Sequence, residues 1–237
     1  MELVQKELAA FLSNIVNDNK KLAFERVLPC RTRYVTLVLE DIFQAHNASA
    51  VLRSADCFGI QDVHFIENRN QYEISPYVDM GASKWLTLNR YNQKQQNTEY
   101  ALTDLKQKGY RIIATTPNTN DILLPDFDLE KGKAAFIFGT ELTGVSAKVM
   151  EMADEFVKIP MYGFTASFNI SVSAALVLQE LRNKMNQSTA NWQLTEPEMH
   201  ELRLLWYLRT VREPELVLKR FNQSHPNFEY QYLLNLL

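Results

Sequence analysis

Three segments of the chain carry polar side chains that could bind or orient a ligand. They are His46–Asp56, Phe136–Ser146 and Ile159–Ser173. Between them they supply guanidinium, carboxylate, carboxamide and hydroxyl groups. Such groups hold anions and hydroxyl-bearing ligands and stabilise charge that develops during a reaction. The chemistry they favour is therefore positioning rather than metal or covalent catalysis.

The first segment contains Asn47 and Arg53. Asn47 has an ordinary structural interpretation, as the N-cap of a helix that runs through Phe58 and stops at Gly59. Arg53 lies inside that helix among mainly apolar residues, where arginine is rarely placed without a partner. Arg53 is therefore the better candidate for a functional role.

In the second segment an apolar strand breaks into a loop in which Gly139 and Gly144 bracket Glu141. The loop could be an ordinary turn, followed by a helix that Ser146 caps. It could also line a pocket with its backbone, because α/β sheets bind ligands at the carboxyl ends of their strands.

The third segment opens an apolar helix with small polar residues. One of Ser167 and Asn169 caps this helix in the structural interpretation. The remaining polar side chains of the same turn exceed what capping needs, which indicates a further role.

Signatures of the common cofactor and catalytic sites are absent: the sequence has no GxGxxG, GxxxxGK[ST], HExxH or GxSxG. The histidines, at positions 46, 64, 200 and 225, are scattered. Cys30 and Cys57 form neither a metal-ligand spacing nor a disulfide framework, so we expect a reduced, cytoplasmic setting and no metal. No apolar run is long enough to cross a membrane.

The elements that position these segments alternate along the chain. Strand patterns cover 34–40, 63–67, 110–115, 134–138 and 156–160, and helical patterns cover 2–16, 47–58, 98–108 and 168–184. Such alternation predicts an α/β fold with a mostly parallel sheet that helices cover on both faces. After a polar stretch, Thr195-Glu-Pro-Glu198 forms a capping box that opens a helical tail.

Taken in order, the three segments resemble the three motifs of the SpoU/TrmH family of RNA ribose 2′-O-methyltransferases, in the SPOUT superfamily. The matches are N-x-x-A-x-x-R from Asn47, FG-x-E-x-x-G from Phe138, and IPM from Ile159 followed by S-x-N-x-S from Ser167. The resemblance covers about residues 20–185. Phe168, Thr140 and the pair Ala48-Ser49 depart from the usual family residues, but no polar residue of the expected chemistry is lost.

The resemblance implies a SPOUT-type sheet whose C-terminal segment forms a deep trefoil knot. It assigns residues 31–186 to the methyltransferase domain, 1–30 to an N-terminal helical extension and 187–237 to a C-terminal helical extension. It also implies transfer of a methyl group from S-adenosylmethionine to a ribose in RNA. The stretches 35–40 and 81–85 look most like the tRNA guanosine-2′-O branch, which implies guanosine-18 of the tRNA D-loop as the target.

The resemblance carries family roles onto matching positions of this chain. The catalytic positions are Arg53, Asn47, Glu141, Ser167 and Asn169. The positions expected to bind the cofactor are Thr115, Gly139, Glu141, Ile159, Met161 and Phe168. Arg53 is expected to orient a substrate phosphate and stabilise the developing alkoxide, with the role of proton acceptor left open, because a free guanidinium does not lose its proton at neutral pH.

The partners implied are tRNA or another structured RNA and a second copy of the chain. The basic residues that could contact RNA phosphates are Lys20, Lys21, Arg26, Arg31, Arg33, Arg209 and Arg212. Each could equally be part of a solvated helix face. The net charge of −3 argues mildly against wholesale coating by nucleic acid but allows a local basic patch.

Three alternatives stay open at the level of sequence. The enzyme could methylate ribosomal RNA or another tRNA position, since the motifs do not separate substrates. The chain could be a non-catalytic RNA-binding relative, against which the intact Arg53, Glu141 and Asn169 argue. An unrelated nucleotide-binding α/β protein is the third, and the absence of a phosphate-binding loop disfavours it.

Overall fold

A computed structural model describes residues 2–117 and 121–237, so Met1 of the predicted N-terminal extension lies outside it. The strands are β1 (Val35–Glu40), β2 (Asp62–Ile66), β3 (Thr87–Tyr91), β4 (Arg111–Thr115), β5 (Ile122–Leu123), β6 (Ala134–Phe138) and β7 (Glu155–Lys158). The helices are α1 (Glu2–Ser13), α2 (Asp18–Val27), α3 (Ala45–Cys57), α4 (Pro76–Asp79), α5 (Asn97–Gln107), α6 (Ala147–Met152), α7 (Ile170–Gln187), α8 (Glu196–Thr210), α9 (Pro214–Asn222) and α10 (Gln231–Leu234). No helix of the described ranges is long and apolar enough to cross a membrane.

All described strands belong to one sheet with the order β3-β2-β1-β6-β4-β7-β5. Every pair of neighbours is parallel, which confirms the predicted sheet type. Central strands β1 and β6 are buried throughout, as expected for a sheet covered on both faces. The carboxyl ends of all these strands meet at one edge, where the three candidate segments begin.

Alternate residues of the central strands feed two separate apolar cores. On one face, Leu37 and Leu39 of β1 pack in a core with residues of α3 and α7. On the other face, Val38 and Ile137 pack with residues of α5 and α6. The period-two alternation of β1 thus serves both layers.

The chain divides into two compact units, one of residues 32–192 and one built from both chain ends, 1–31 and 193–237. The terminal unit is helical. Within it the ring of Phe24 contacts those of Trp206 and Tyr207, and the ring of Phe11 contacts Phe221. The apolar stripe of α8 is therefore buried inside a unit that the N-terminal helices share.

Local signals in the sequence were accurate where capping side chains decide the ends. Ser146 caps α6, and Thr195 and Glu198 form the expected capping box at α8. The strands β3 and β5 were not predicted. In β3 only Tyr91 is buried, and β5 has two residues, so neither shows the apolar pattern on which sequence analysis depends.

We expect His64 to make the stability of the sheet unit depend on pH. His64 Nδ1 lies 3.2 Å from the hydroxyl of Tyr91, which itself donates to Asp104. Burial lowers the pKa of His64 from 6.5 to about 3. Below pH 6.5 the imidazole of His64 binds a proton in the unfolded chain but not in the folded one. The free energy of unfolding therefore decreases as the pH falls from 6.5 to about 3.

Denaturant unfolding of wild type and His64→Asn between pH 7 and 4 tests this expectation. The Asn amide keeps a donor near Tyr91 but does not titrate, so its free energy of unfolding should fall less steeply with decreasing pH. His46→Asn, at an exposed position, is the control and should keep the wild-type slope. Equal slopes for all three proteins would contradict the assignment to His64.

Candidate active site

Three side chains from the three candidate segments meet in a triangle of hydrogen bonds. Asn47 Nδ2 donates to Glu141 Oε1 at 2.7 Å, and Asn169 Nδ2 donates to the same oxygen at 2.9 Å. Asn169 Nδ2 also donates to Asn47 Oδ1 at 3.1 Å. The triangle joins residues 94, 28 and 122 positions apart in the chain. Glu141 Oε2 accepts no hydrogen bond from any described residue, so it remains available to a ligand.

Asn47 is not the cap of its helix. The N-cap of α3 is Gln44, which places Asn47 in the first helical turn with its side chain buried. Its amide nitrogen also donates to Gln44 Oε1 at 3.1 Å, and its oxygen accepts the hydrogen bond from Asn169. Both ends of the amide are therefore held. The capping interpretation of Asn47 is wrong, and its side chain belongs to the triangle.

Asn169 does cap its helix, and it contributes to the triangle as well. Asn169 Oδ1 accepts hydrogen bonds from the backbone nitrogen and the hydroxyl of Ser171 at 2.8 and 2.6 Å. The oxygen is used at the N-terminus of α7, and the amide nitrogen is turned toward Glu141. One side chain thus fixes the start of α7 and orients the carboxylate.

The loop that carries Glu141 is closed on itself. Thr140 and Gly144 exchange two backbone hydrogen bonds, at 3.0 and 2.9 Å. Gly144 has a φ of +69°, which glycine adopts without strain. At Gly139 a Cβ atom would lie 2.0 Å from the carbonyl oxygen of Gly144, so the closed loop has no space for a side chain there.

Glu40 holds the far end of this loop, a role that sequence analysis missed. The side chain is buried at the end of β1. Its carboxylate accepts hydrogen bonds from the backbone nitrogen and the hydroxyl of Ser146, at 2.9 and 2.8 Å, and from Thr98 Oγ1 at 2.6 Å. A charged residue ending an apolar strand was the available signal, but its partner Ser146 lies 106 residues away.

A cavity of about 500 Å³ is lined by this closed loop; we call it the first cavity. Its walls are residues 115–117 at the end of β4, the closed loop after β6 and the segment after β7. They combine apolar side chains with hydroxyl groups and backbone. Every predicted cofactor residue lines it, together with Ser167: Thr115, Gly139, Glu141, Ile159, Met161 and Phe168.

Arg53 lies apart from the triangle. It follows Asn47 by six residues on α3, which turns it about 120° around the helix. Its side chain is exposed, and no hydrogen bond or ion pair joins it to a described residue. The predicted apolar surroundings are therefore wrong, because the neighbouring Leu52 and Ala55 face the core while Arg53 faces outward.

The predicted RNA-binding residues fall into two groups. Lys20, Arg26 and Arg212 are exposed. The others are less exposed: half-buried Lys21 pairs with Asp18, half-buried Arg33 pairs with Asp62, and half-buried Arg209 donates to the carbonyl of Leu236. Arg31 is buried with its guanidinium over the ring of Trp206, so packing explains it better than contact with RNA.

In the described ranges, no group of three or more His, Cys, Asp or Glu side chains is arranged to hold a metal ion.

The profile of the SpoU rRNA Methylase family matches residues 34–179, more than half of the chain. The matched range contains all three corners of the triangle. The chain belongs to the SpoU rRNA Methylase family.

Individual SpoU relatives agree with this assignment. The chain is 44% identical over 211 residues to a tRNA (guanosine(18)-2′-O)-methyltransferase of Borreliella burgdorferi, covering 89% of this chain and 94% of the relative. Its fold resembles the crystal structure of the A. aeolicus TrmH/SpoU tRNA modifying enzyme, with a TM-score of 0.71, 24% identity, and coverage of 82% and 99% of the two chains.

A second solved structure with this fold contains a ligand. It is the SpoU methyltransferase AviRb from Streptomyces viridochromogenes in complex with the cofactor AdoMet, with a TM-score of 0.56 and 19% identity. The match covers 69% of this chain and 65% of that one. At this identity the likeness concerns the fold alone.

We expect Gly139→Ala to disrupt the closed loop. The added methyl group would overlap the backbone of Gly144, and overpacking of this kind costs about 1–3 kcal/mol. Gly163→Ala is the matched control, because no atom lies within 4 Å of its added Cβ. Denaturant unfolding should show a lower free energy of unfolding for Gly139→Ala only. Equal stabilities of the two variants would contradict the close approach.

Proposed function

We propose that this protein transfers a methyl group from S-adenosylmethionine to the ribose 2′-hydroxyl of guanosine-18 in tRNA. Membership of the SpoU family supports methyl transfer, and the tRNA (guanosine(18)-2′-O)-methyltransferase relative at 44% identity supports the substrate. The observation that carries the proposal is the triangle of Asn47, Glu141 and Asn169 at the edge of the first cavity. It unites all three family motifs at one point.

The first cavity fits S-adenosylmethionine in chemistry and size. Ile159, Met161 and Phe168 offer apolar surface to an adenine ring, and the hydroxyls of Thr115 and Ser167 suit polar groups. When bound, the cofactor supplies a strongly electrophilic methyl group on a sulfonium. The closed loop that Gly139 permits gives the cavity a wall of backbone rather than side chain.

The triangle acts by position. A ribose hydroxyl is a weak nucleophile, so its oxygen must be aligned with the methyl carbon and the sulfur. Both amide groups are held by fixed partners and in turn hold the Glu141 carboxylate. Glu141 Oε2 can then accept a hydrogen bond from the ribose and fix its orientation.

Arg53 is proposed to bind the RNA backbone at the target nucleotide. An exposed guanidinium that no described residue binds is suited to bidentate contact with phosphate. Through that phosphate the guanidinium would orient the ribose, and its positive charge would stabilise the negative charge that develops on the 2′-oxygen.

Methylation of ribosomal RNA or another tRNA position is the alternative, and the tRNA relative at 44% identity favours the tRNA reading. A purely RNA-binding role is disfavoured because the triangle is intact. We assign methyl transfer to residues 31–186 and contact with RNA to the helical extensions 1–30 and 187–237, where Lys20, Arg26 and Arg212 are exposed. The cytoplasmic setting stays a prediction.

We also propose the trefoil knot. In the sheet, β7 lies between β4 and β5, although β4 and β5 follow each other in the chain. A strand that comes later in the chain, β7, is thus inserted between two consecutive strands of the sheet. This strand order supports the threading of the segment after β7 through an earlier loop.

A homodimer is the proposed assembly. Apolar side chains are exposed in a continuous stretch from the segment before α7 into its first turns: Tyr162, Phe164, Phe168, Val172 and Leu176. Large exposed apolar surface marks interaction sites in soluble proteins. A second copy of the chain would cover it.

A methyl-transfer assay with S-adenosylmethionine and tRNA transcripts, followed by mapping of the methylated ribose, tests the function. We expect Arg53→Ala to reduce turnover at least ~10²-fold, the scale for loss of a charge contact in the transition state. Arg53→Lys should recover little of it, since a point charge cannot replace a planar two-pronged donor. Affinity for S-adenosylmethionine, measured by calorimetry, should change little.

Because Arg53 is exposed, a structural role and the proposed role predict different results for Arg53→Ala. A residue that only tied α3 to the core would lower the melting temperature on truncation and damage cofactor binding and turnover together. Normal turnover by Arg53→Ala would end the assignment of Arg53. Absence of methylation by the wild-type protein on every tRNA would end the proposed function.

The dimer is tested by light scattering after size exclusion. We expect Leu176→Lys to give a monomer, because it buries a charge in the proposed interface. Leu216→Lys, at an exposed leucine on α9 in the terminal unit, is the matched control and should stay dimeric. A monomeric wild-type protein at micromolar concentration would refute the assembly.

A further inference from the structure

A second cavity, of about 960 Å³, is also lined by the closed loop. The loop residues from Thr140 to Val145 line both cavities. Asn47 lines the second cavity, and its partner Glu141 lines both. A ligand in the second cavity would therefore reach Asn47 and Glu141 of the triangle next to the cofactor's cavity.

The lining of the second cavity is rich in carboxamides. Gln44, Asn68, Asn70, Gln95 and Gln96 contribute amide groups. Its charged residues are of both signs, with Arg69 and Lys148 against a larger number of carboxylates. This excess of negative charge would repel a phosphate group. Amides that both donate and accept suit a neutral ligand with polar edges, such as the base and ribose of a nucleotide taken out of its stack.

Asp41 fixes the part of this lining that faces it, the segment 68–70. Asp41 Oδ1 accepts the backbone nitrogens of Asn68 and Arg69, at 2.7 and 2.8 Å. The backbone of Asp41 has a φ of +52°, in the left-handed region that non-glycine residues rarely adopt. Such strain collects at ligand sites, where the surrounding structure holds it.

This arrangement leaves two oriented acceptors. Asn68 Nδ2 donates to Thr98 Oγ1 at 2.9 Å and to Asp41 Oδ2 at 3.3 Å, and Asn70 Nδ2 donates to the carbonyl of Asp41 at 2.8 Å. These bonds fix the orientation of both amide groups. The side-chain oxygens of Asn68 and Asn70 accept no hydrogen bond from a described residue. Two fixed acceptors match a base edge that offers two adjacent donors, and guanine does so with N1–H and its 2-amino group.

We propose that the second cavity binds the target guanosine and that the side-chain oxygens of Asn68 and Asn70 accept hydrogen bonds from its Watson–Crick edge. The proposal rests on the proposed function and adds the residues that select the base. In this arrangement the ribose lies toward Asn47 and Glu141, and the cofactor occupies the first cavity, which shares Glu141.

The test compares kcat/KM on two tRNA transcripts, with guanosine or adenosine at the methylated position. Wild type should prefer guanosine by ~10²-fold or more, because a site built around base donors rejects a base that lacks them. In Asn70→Ala and Asn68→Ala, kcat/KM should fall at least about tenfold on the guanosine transcript and much less on the adenosine transcript. The ratio of the two kcat/KM values should therefore decrease. The affinity for S-adenosylmethionine should not change.

Asn92→Ala is the matched control for Asn68. Asn92 donates to the carboxylate of Glu67 at 2.7 Å but does not line the cavity, so its removal should leave the preference intact. Equal losses on both transcripts, or an unchanged preference in Asn68→Ala and Asn70→Ala, would overturn the proposal.

Inactivity of wild type on every RNA would count against the proposed function rather than against the cavity. In that case, NMR titrations of the protein with guanosine monophosphate and with adenosine monophosphate test the pocket directly. A preference for the guanosine nucleotide that Asn70→Ala removes supports the pocket, and no preference in wild type overturns it.

Discussion

A single carboxylate oxygen that accepts two amide donors constrains this site. Glu141 Oε1 lies within hydrogen-bond distance of both Asn47 and Asn169, and the two asparagines are bonded to each other. Each side chain comes from a different element, so the start of α3, the loop after β6 and the start of α7 must converge on one point. Charge-assisted hydrogen bonds of this kind are about twice as strong as neutral ones, which favours a single arrangement of the three.

The parallel sheet provides that convergence. Because β1 and β6 are neighbours in register, their carboxyl ends deliver α3 and the closed loop side by side. Glu40, the last residue of β1, then binds Ser146 at the end of that loop. The loop is thus held at Glu141 from one direction and at Ser146 from another. A loop fixed at both points can keep its shape while it lines two cavities.

The sequence predicted those features that neighbouring residues decide. Strand β6 was predicted at the observed bounds, and the caps at Ser146 and Thr195 follow from side chains that bond a few residues away. What depends on distant partners was less accessible. The capping role of Asn47 was wrong because Glu141, 94 residues later, binds its amide. The surroundings of Arg53 were wrong because neighbouring residues in sequence face opposite sides of α3.

The helical unit made from both chain ends has a consequence for synthesis. Phe11 and Phe24 of the N-terminal helices contact rings of the last helices, which the ribosome makes only after residues 32–192. At ordinary rates of translation that interval is on the order of ten to thirty seconds. The sheet unit is continuous in sequence and can fold during this interval. The apolar side chains of the N-terminal helices stay exposed until the last helices have been made. The N-terminal helices, although made before the sheet unit, are therefore expected to reach their final packing after it.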